Sequence, residues 1–241
     1  MVAPSPPPMA GALDVLCAGA VQGLIEALQA RFERDANATL RLRFGAVGAL
    51  RVALAGGAPC DVMIATEAML RELAAAGEVG AGSVRPVGAV RTGVALRSGE
   101  PVPRLDDAGD LRAALLAATL LHVPDLERST AGAHIAGVLA RLGIEDAVRP
   151  KLVTHANGAA AMQALASEGP AGALGCTQIS EIRRTPGLIA GALPEPFALS
   201  TVYAAGIATR AIAPALAQRL VDLLSAPAQA ARRAGLGFDP L

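Results

Sequence analysis

The N-terminal part of the chain carries a helical stripe of apolar residues between two strand-like runs. Residues 13–18 are almost continuously apolar, which is typical of a buried strand. Over residues 21–32 apolar side chains recur at spacings of three and four, the period of a helix with one buried face. Residues 40–44 alternate leucine and arginine before a phenylalanine, so one face of this strand is predicted to be solvated.

The same alternation continues along the rest of the chain. A third strand is predicted at 61–64, and Thr66 is placed to cap the helix that follows it and stops at Gly77. Further strands are predicted at 119–123, 152–154 and 173–176, and further helices after Asp106 or Asp107, after Ser129 or Thr130, and after Asn157. Two long β-prone stretches, 84–96 and 199–208, join the two series, and Pro214 begins a C-terminal helix.

Alternating strands and helices predict an α/β fold of two lobes, each a mostly parallel sheet flanked by helices, with a ligand cleft between them. We expect residues 13–85 and 205–241 to form the first lobe and residues 86–204 the second. Residues 1–12 are a Pro-rich lead.

Composition narrows the classes of function. Lys and Arg together number 21, as do Asp and Glu, and aromatic residues are 2% of the 241 residues. A nucleic-acid partner is not expected without a basic stripe or stacking aromatics. The three cysteines are far apart and no metal-binding spacing, P-loop or evident Ser-His-Asp arrangement is present, so we predict a protein without metal, cofactor or catalytic activity.

Location stays open between two alternatives. The lead has no positive charge, and the apolar stretch after it is interrupted by Asp14, so no secretory signal or membrane span is predicted. The protein is then cytosolic if Met1 is its natural start, and otherwise its leader is missing from this sequence.

Four strand-to-helix junctions share one chemistry. They are "CAGAVQG" (17–23), "FGAVGAL" (44–50), "RSTAGAH" (128–134) and "HANGAAA" (155–161). Each brings small residues to a helix start, where backbone N–H groups and the helix dipole favour a negative ligand. Because ligands of open α/β sheets lie outside the carboxyl ends of strands, we expect all four to converge on one small anion.

The candidate ligand-binding residues come from these junctions and two nearby positions. They are Gly19, Ala20, Val21, Ala46, Val47, Gly48, Thr66, Arg128, Ser129, Thr130, Ala131, His134, Ala156, Asn157 and Gln178. Several also have a plain structural interpretation. Arg128 either binds a carboxylate through its planar fork or is a solvated surface residue. Ser129, Thr130 and Thr66 are helix caps, ligand contacts or both, and His134 either supports the fold or faces the ligand.

The junction residues resemble the type II periplasmic binding proteins, and among them the molybdate-binding family. "FGAVGALRVALAGGAPCDVMIAT" is similar to that family's Phe-Gly-x-Ser-Gly-x-Leu loop and its following Gly-Ala-Pro-Ala-Asp-Val strand. "STAGAHIAGVLARLGI", "PAGALGCTQISEI" and "RAGLGFDP" resemble further segments of the family. The resemblance implies a monomeric periplasmic component of an ABC-type importer, which delivers its solute to a membrane permease.

This chain departs from the family at the ligand. The family holds a tetrahedral oxyanion with two serines, a tyrosine and backbone amides, whereas the matching positions here are Ala20, Val47 and Gln178. The amide donors near Ala131 and Ala156 persist. We therefore expect an organic carboxylate in preference to molybdate or tungstate, because the methyl groups favour a carbon skeleton. The alternatives are a cytosolic sensor or carrier on the same fold, and a molybdate- or tungstate-type oxyanion binder.

Overall fold

A computed structural model describes residues 11–241, so all but the last two residues of the Pro-rich lead lie outside the described part. The strands are β1 (Gly11–Ala18), β2 (Ala38–Gly45), β3 (Val62–Thr66), β4 (Arg85–Arg97), β5 (Leu121–Pro124), β6 (Leu152–His155), β7 (Leu174–Gln178), β8 (Leu188–Ala192) and β9 (Ser200–Ile207). The helices are α1 (Gly19–Ala36), α2 (Val47–Ala55), α3 (Glu67–Ala75), α4 (Ala108–Ala117), α5 (Thr130–Leu142), α6 (Glu145–Val148), α7 (Gly158–Glu168), α8 (Ile179–Arg184), α9 (Pro214–Ser225) and α10 (Ala230–Gly235).

The predicted strands and helices are confirmed, and side-chain caps fix several helix starts. Thr66 Oγ1 accepts a hydrogen bond from the Met69 amide at 3.3 Å. Of the two alternatives considered at each later start, Asp107 caps α4 and Ser129 caps α5, while Asn157 caps α7. Each cap satisfies one amide that the first helical turn leaves without a partner.

The strands lie in the order β2-β1-β3-β9-β4-β7-β5-β6, with β8 also paired to β4. Strands β1, β2 and β3 are parallel, as are β5, β6 and β7. The connectors β4 and β9 run antiparallel to their neighbours. The sheet is therefore mixed: the strands that lead into helices are parallel, and the long joining strands reverse direction.

Strand β4 divides the molecule into two lobes. Its first half pairs with β9, and its second half pairs with β7 and β8. The largest apolar cluster packs α1, α3 and α9 on the first lobe, which contains β1, β2, β3 and β9. Separate clusters pack α4, α5 and α7 on the second lobe, which contains β5, β6, β7 and β8. The predicted residue limits of the lobes stay predictions.

Sequence patterns did not indicate β8 or α10. Strand β8 reads Leu-Ile-Ala-Gly-Ala and is mostly exposed, so it lacks the alternation that marks a half-buried strand. Helix α10 has only six residues and buries none of them. Among residues 11–241, no helix has both the length and the apolar character needed to cross a bilayer.

Candidate functional site

The four predicted junctions meet between the lobes around one small cavity. Its lining residues are Ala18, Gly19, Ala20, Gly45, Ala46, Val47, Ser129, Thr130, Ala131, Asn157, Gly158, Gln178, Glu181 and Tyr203. The cavity volume is about 20 Å³, which accommodates about one water molecule. An organic acid therefore enters only if the lobes separate.

On the first lobe, the two helices that face the cavity begin without side-chain caps. Ala18 and Ala46 occupy the cap positions of α1 and α2 in extended conformation, and neither can accept a hydrogen bond through its side chain. The first amides of a helix have no partner within it. These two starts therefore present backbone donors and methyl groups to the cavity.

On the second lobe, the corresponding starts carry polar side chains. Asn157 Oδ1 accepts from the Ala160 amide at 2.9 Å, and Ser129 Oγ accepts from the Gly132 amide at 3.4 Å. Asp125 Oδ1 holds the loop before α5 by accepting from the amides of Glu127 and Arg128. These two amides keep the pKa of the Asp125 carboxyl below its usual value, so the loop is fixed by an ionised group at neutral pH.

Direct contacts hold the lobes closed. The Gly48 amide at the start of α2 donates to the Arg128 carbonyl across the cleft at 2.9 Å. Ser180 Oγ donates to the Ala20 carbonyl at 2.7 Å, in a buried position. At the rim, Arg184 and Glu26 form an ion pair at 3.0 Å. Opening the cleft for a ligand breaks these contacts.

Glu181 is a carboxyl group buried between the two lobes, with 6% of its surface exposed. Its Oε2 accepts from Thr177 Oγ1 at 2.5 Å, and the carboxyl also accepts from the backbone amides of Gln178 and Ala159. Burial raises the pKa of Glu181, although these donors and the charge of Arg184 act in the opposite direction. The cleft thus contains a buried carboxyl group whose pKa lies above that of an exposed glutamate.

Two glycines make room for this carboxyl. A Cβ atom on Gly19 would lie 2.3 Å from Glu181 Oε1, and one on Gly158 would lie 2.0 Å from Oε2. Real Cβ atoms do not approach oxygen this closely. Glycine at the starts of α1 and α7 is therefore required by the side chain that lies between them.

Gln178 and Tyr203 form the back of the cavity, where the connecting strands begin to diverge. With its side-chain amide nitrogen turned toward β4, Gln178 donates to the carbonyls of Val90 and Arg91, both at 3.2 Å. A hydrogen bond joins the side chains of Gln178 and Tyr203. Burial raises the pKa of Tyr203, with the nearby Glu181 acting in the same direction, so its hydroxyl stays protonated.

The cavity brings together nine of the fifteen predicted ligand residues: Gly19, Ala20, Ala46, Val47, Ser129, Thr130, Ala131, Asn157 and Gln178. The other six lie outside its lining. Val21 is fully buried in the first-lobe core, Gly48 contacts Arg128 through its amide, and Thr66 caps α3. Ala156 is exposed, and His134 is bonded through Nε2 to the Phe197 carbonyl at 2.8 Å.

Arg128 is exposed and lines a separate surface cavity with Asp125, Thr154, His155 and their neighbours. Only its backbone reaches the cleft, through the bond to Gly48. The lining of the interlobe cavity consequently contains no lysine, arginine or histidine.

Five lining residues were not among the predicted set: Ala18, Gly45, Gly158, Glu181 and Tyr203. Three of these are small residues that lie within the quoted junctions, next to predicted residues, but were not themselves chosen as candidates. Tyr203 lies on β9, one of the two long joining strands, and not at a strand-to-helix junction. Glu181 carried one weak signal, an acidic residue three positions after Gln178 in a segment that also contains Ile179 and Ile182.

Other reactive groups lie away from the cavity. The three cysteines are free, and burial raises the pKa of Cys60 to about 11 and that of Cys176 to about 12, so neither favours a thiolate at neutral pH. In the part of the chain described here, no cluster of His, Cys, Asp and Glu has the arrangement of a metal site.

Comparisons with known proteins agree with this architecture. A family model described as "Bacterial extracellular solute-binding protein" matches residues 13–239. The aconitate isomerase of a Pseudomonas species is 25% identical over 236 residues, which cover 95% of this chain and 88% of that protein.

Solved structures show the same fold at lower identity. The periplasmic molybdate-binding protein of Azotobacter vinelandii superposes with a TM-score of 0.80 at 20% identity, over 95% of this chain and 99% of that one. A sulfate-binding protein of Mycobacterium tuberculosis superposes with a TM-score of 0.72 at 16% identity, over 96% and 87% of the two chains.

Proposed function

This chain belongs to the bacterial extracellular solute-binding proteins, and from that membership we propose that its interlobe cleft captures a small organic carboxylate and releases it unchanged. The predicted resemblance to type II periplasmic binding proteins of the molybdate-binding kind is confirmed by the family match and the superposed folds. The observation that carries the proposal is the convergence of four helix starts on one cavity whose first-lobe side carries the methyl groups of alanine and valine.

The cavity chemistry favours carbon beside the negative charge. Uncapped amides at the starts of α1 and α2 suit a carboxylate, as helix N-termini do in general. Ala20, Ala46 and Val47 offer no hydrogen bond to the remaining oxygens of a tetrahedral oxyanion. Each missing hydroxyl forgoes about 1.5–3 kcal/mol of hydrogen bonding to a charged acceptor.

The relative in Pseudomonas supports the same class of ligand. An aconitate isomerase acts on aconitate, an unsaturated tricarboxylic acid, and it aligns with nearly the whole of this chain. We therefore place di- and tricarboxylic acids first among the candidates.

Transport is the role that family membership supports. In that role the closed protein delivers its ligand to an ABC-type membrane permease and acts as a monomer. A cytosolic sensor or carrier remains the alternative role for the same site. Fractionation of cells that express the native gene separates the two, because an importer component is recovered outside the inner membrane.

Calorimetry on the purified chain tests the ligand assignment. We expect measurable heat with one or more small di- or tricarboxylates, and weak or absent binding of molybdate, tungstate and sulfate. Sub-micromolar binding of molybdate would contradict the assignment. The NMR spectrum of each bound carboxylate after long incubation should be unchanged if the protein only binds.

A second candidate function is suggested by Glu181 together with the isomerase relative. A buried carboxylate can remove a proton from the allylic carbon of an unsaturated acid. The C–H electrons then form the new double bond, the old double bond opens toward the far carbon, and Glu181 returns the proton there. No co-reactant is needed. Appearance of a second isomer would establish this function, and Glu181→Gln would abolish it.

A further inference from the structure

We propose that ligand uptake in the cleft is coupled to uptake of one proton by Glu181, so that this carboxyl group acts as a resident competitor that must be neutralised before a carboxylate binds beside it. The inference rests on the proposed binding function and adds its regulation by pH.

The position of Glu181 supplies the first step. Its carboxyl oxygens lie against Gly19 at the start of α1 and Gly158 at the start of α7, one from each lobe. It accepts from the Ala159 amide, one of the N-terminal donors of α7. The carboxyl therefore already occupies part of the space and some of the donors that a ligand carboxylate would use.

The charges around Glu181 supply the second step. The groups whose charge acts on it are Arg184 and Tyr203. Arg184 is already paired with Glu26 at the cleft rim, and Tyr203 is a neutral hydroxyl at physiological pH. The elements packed around the carboxyl otherwise present Thr177, Gln178 and glycine or alanine backbone, none of which is charged.

A second carboxylate in this space would meet an unneutralised like charge. Two carboxylates a few ångströms apart in a desolvated site cannot both remain ionised, and one of them takes a proton. The lining has no cation that could substitute for that proton. Glu181 is the group that takes the proton, because its burial disfavours the charged form.

Linkage then fixes the pH dependence of affinity. The ligand raises the pKa of Glu181 further above its value in the free protein. Affinity is therefore highest below the pKa of the free protein and falls as pH rises above it, by up to about tenfold per pH unit for one coupled proton. A transporter site with this property binds in an acidic compartment and releases in a more alkaline one.

Calorimetry with trans-aconitate and with citrate, in two buffers of different ionisation enthalpy between about pH 7 and 9, tests the proposal, because exposed carboxyl groups of the protein are fully ionised there. Proton exchange by each ligand itself is measured separately and subtracted. We expect the difference in observed heat to report net proton uptake on binding, with Kd rising with pH. Glu181→Gln should bind with no proton uptake and a flat pH profile. Glu181→Asp keeps a titrating group and should retain uptake.

Glu145→Gln is the matched control, because Glu145 is exposed at the start of α6, and it should behave as the unmodified protein. Binding by the unmodified protein with no proton uptake, or uptake that persists in Glu181→Gln, would overturn the coupling while leaving the binding function in place. Absence of heat with every carboxylate tested would overturn the binding function, and the coupling with it.

Discussion

Both lobes present two helix starts to the cleft, but these starts differ in whether a side chain caps them. On the first lobe, α1 and α2 begin at alanines, so their first amides have no side-chain acceptor. On the second lobe, α5 and α7 begin at Ser129 and Asn157, whose side chains satisfy an amide each. Glu181 adds a carboxyl at the start of α7. Apart from the Gly48 amide, which donates to the Arg128 carbonyl, the helix starts of the first lobe leave their donors for a ligand. The starts of the second lobe each have a side-chain acceptor before any ligand arrives.

The difference in capping between the lobes affects how much free energy each lobe can gain from a bound ligand. An uncapped helix start costs about 0.5–2 kcal/mol relative to a capped one. A bound anion can recover that cost, so the first lobe has more to gain from a ligand than the second. The predictions below test this contrast, beginning with the largest expected effect.

Adding hydroxyl groups at the uncapped helix starts of the first lobe should shift the ligand preference of the cleft from carboxylates toward tetrahedral oxyanions. In the double variant Ala20→Ser/Val47→Ser, two new donors reach the cavity, each contributing about 1.5–3 kcal/mol toward a charged acceptor. Molybdate affinity should then rise by about 10²- to 10⁴-fold, as measured by calorimetry.

The matched control is Ala27→Ser/Val52→Ser, which adds hydroxyls at exposed positions of the same two helices. It should leave molybdate binding as it was. If the cavity variant gains no oxyanion affinity, the methyl groups are not what excludes oxyanions.

Removing a cap from the second lobe should make it resemble the first. Asn157→Ala frees the Ala160 amide and should lower the free energy of unfolding by about 0.5–2 kcal/mol in urea titrations. A carboxylate that binds the cleft should then stabilise this variant more than it stabilises the unmodified protein, since the ligand replaces the lost acceptor.

Thr66→Ala removes a cap of the same kind from α3, which starts away from the cavity lining. It should show a similar loss of stability with no change in the ligand-dependent shift. An equal ligand-dependent shift in both variants would contradict the role given to Asn157.

Local sequence was sufficient for the helix starts and insufficient for the group between them. Asn157 was predictable, and the α5 cap was narrowed to Ser129 or Thr130, because a cap acts within three residues of its own position. Glu181 could not be placed, because its surroundings depend on α8 packing against α1, which lies about 160 residues earlier in the chain. Arg128 adjoins a predicted cap, yet adjacency along the chain does not determine where a long side chain points.

Acid should destabilise the second lobe and spare the first. His122 Nδ1 and His155 Nε2 lie 3.0 Å apart, and burial is the main cause that lowers the pKa of each ring. Because each histidine pKa is lower in the folded protein, the pair contributes its full stability above the histidine pKa of the unfolded chain, about 6.5. This contribution is lost as pH falls from there through the folded-state pKa. All three histidines lie between residues 122 and 155, so the loss belongs to the second lobe.

Hydrogen exchange at about pH 7.5 and pH 5.5 should show this loss as faster opening of β5 and β6, with β1 and β3 unchanged after correction for intrinsic rates. His155→Asn should reduce the difference. His134→Gln should retain it, because that ring bonds the Phe197 carbonyl and lies apart from the pair. Equal acid sensitivity in both lobes would show that the histidine pair is not its source.

The smallest effect is expected at Arg128, although its position beside the α5 cap makes it the obvious cationic partner for a carboxylate. Its side chain is exposed outside the cavity lining, and only its carbonyl takes part in closure, through the Gly48 amide. Alanine retains that carbonyl. We therefore expect Arg128→Ala to change carboxylate affinity by less than about 0.5 kcal/mol, as exposed substitutions usually do. A loss of about 1.5 kcal/mol or more would mean that the side chain swings into the cleft when the lobes open, and that the second lobe supplies a charge which the closed conformation conceals.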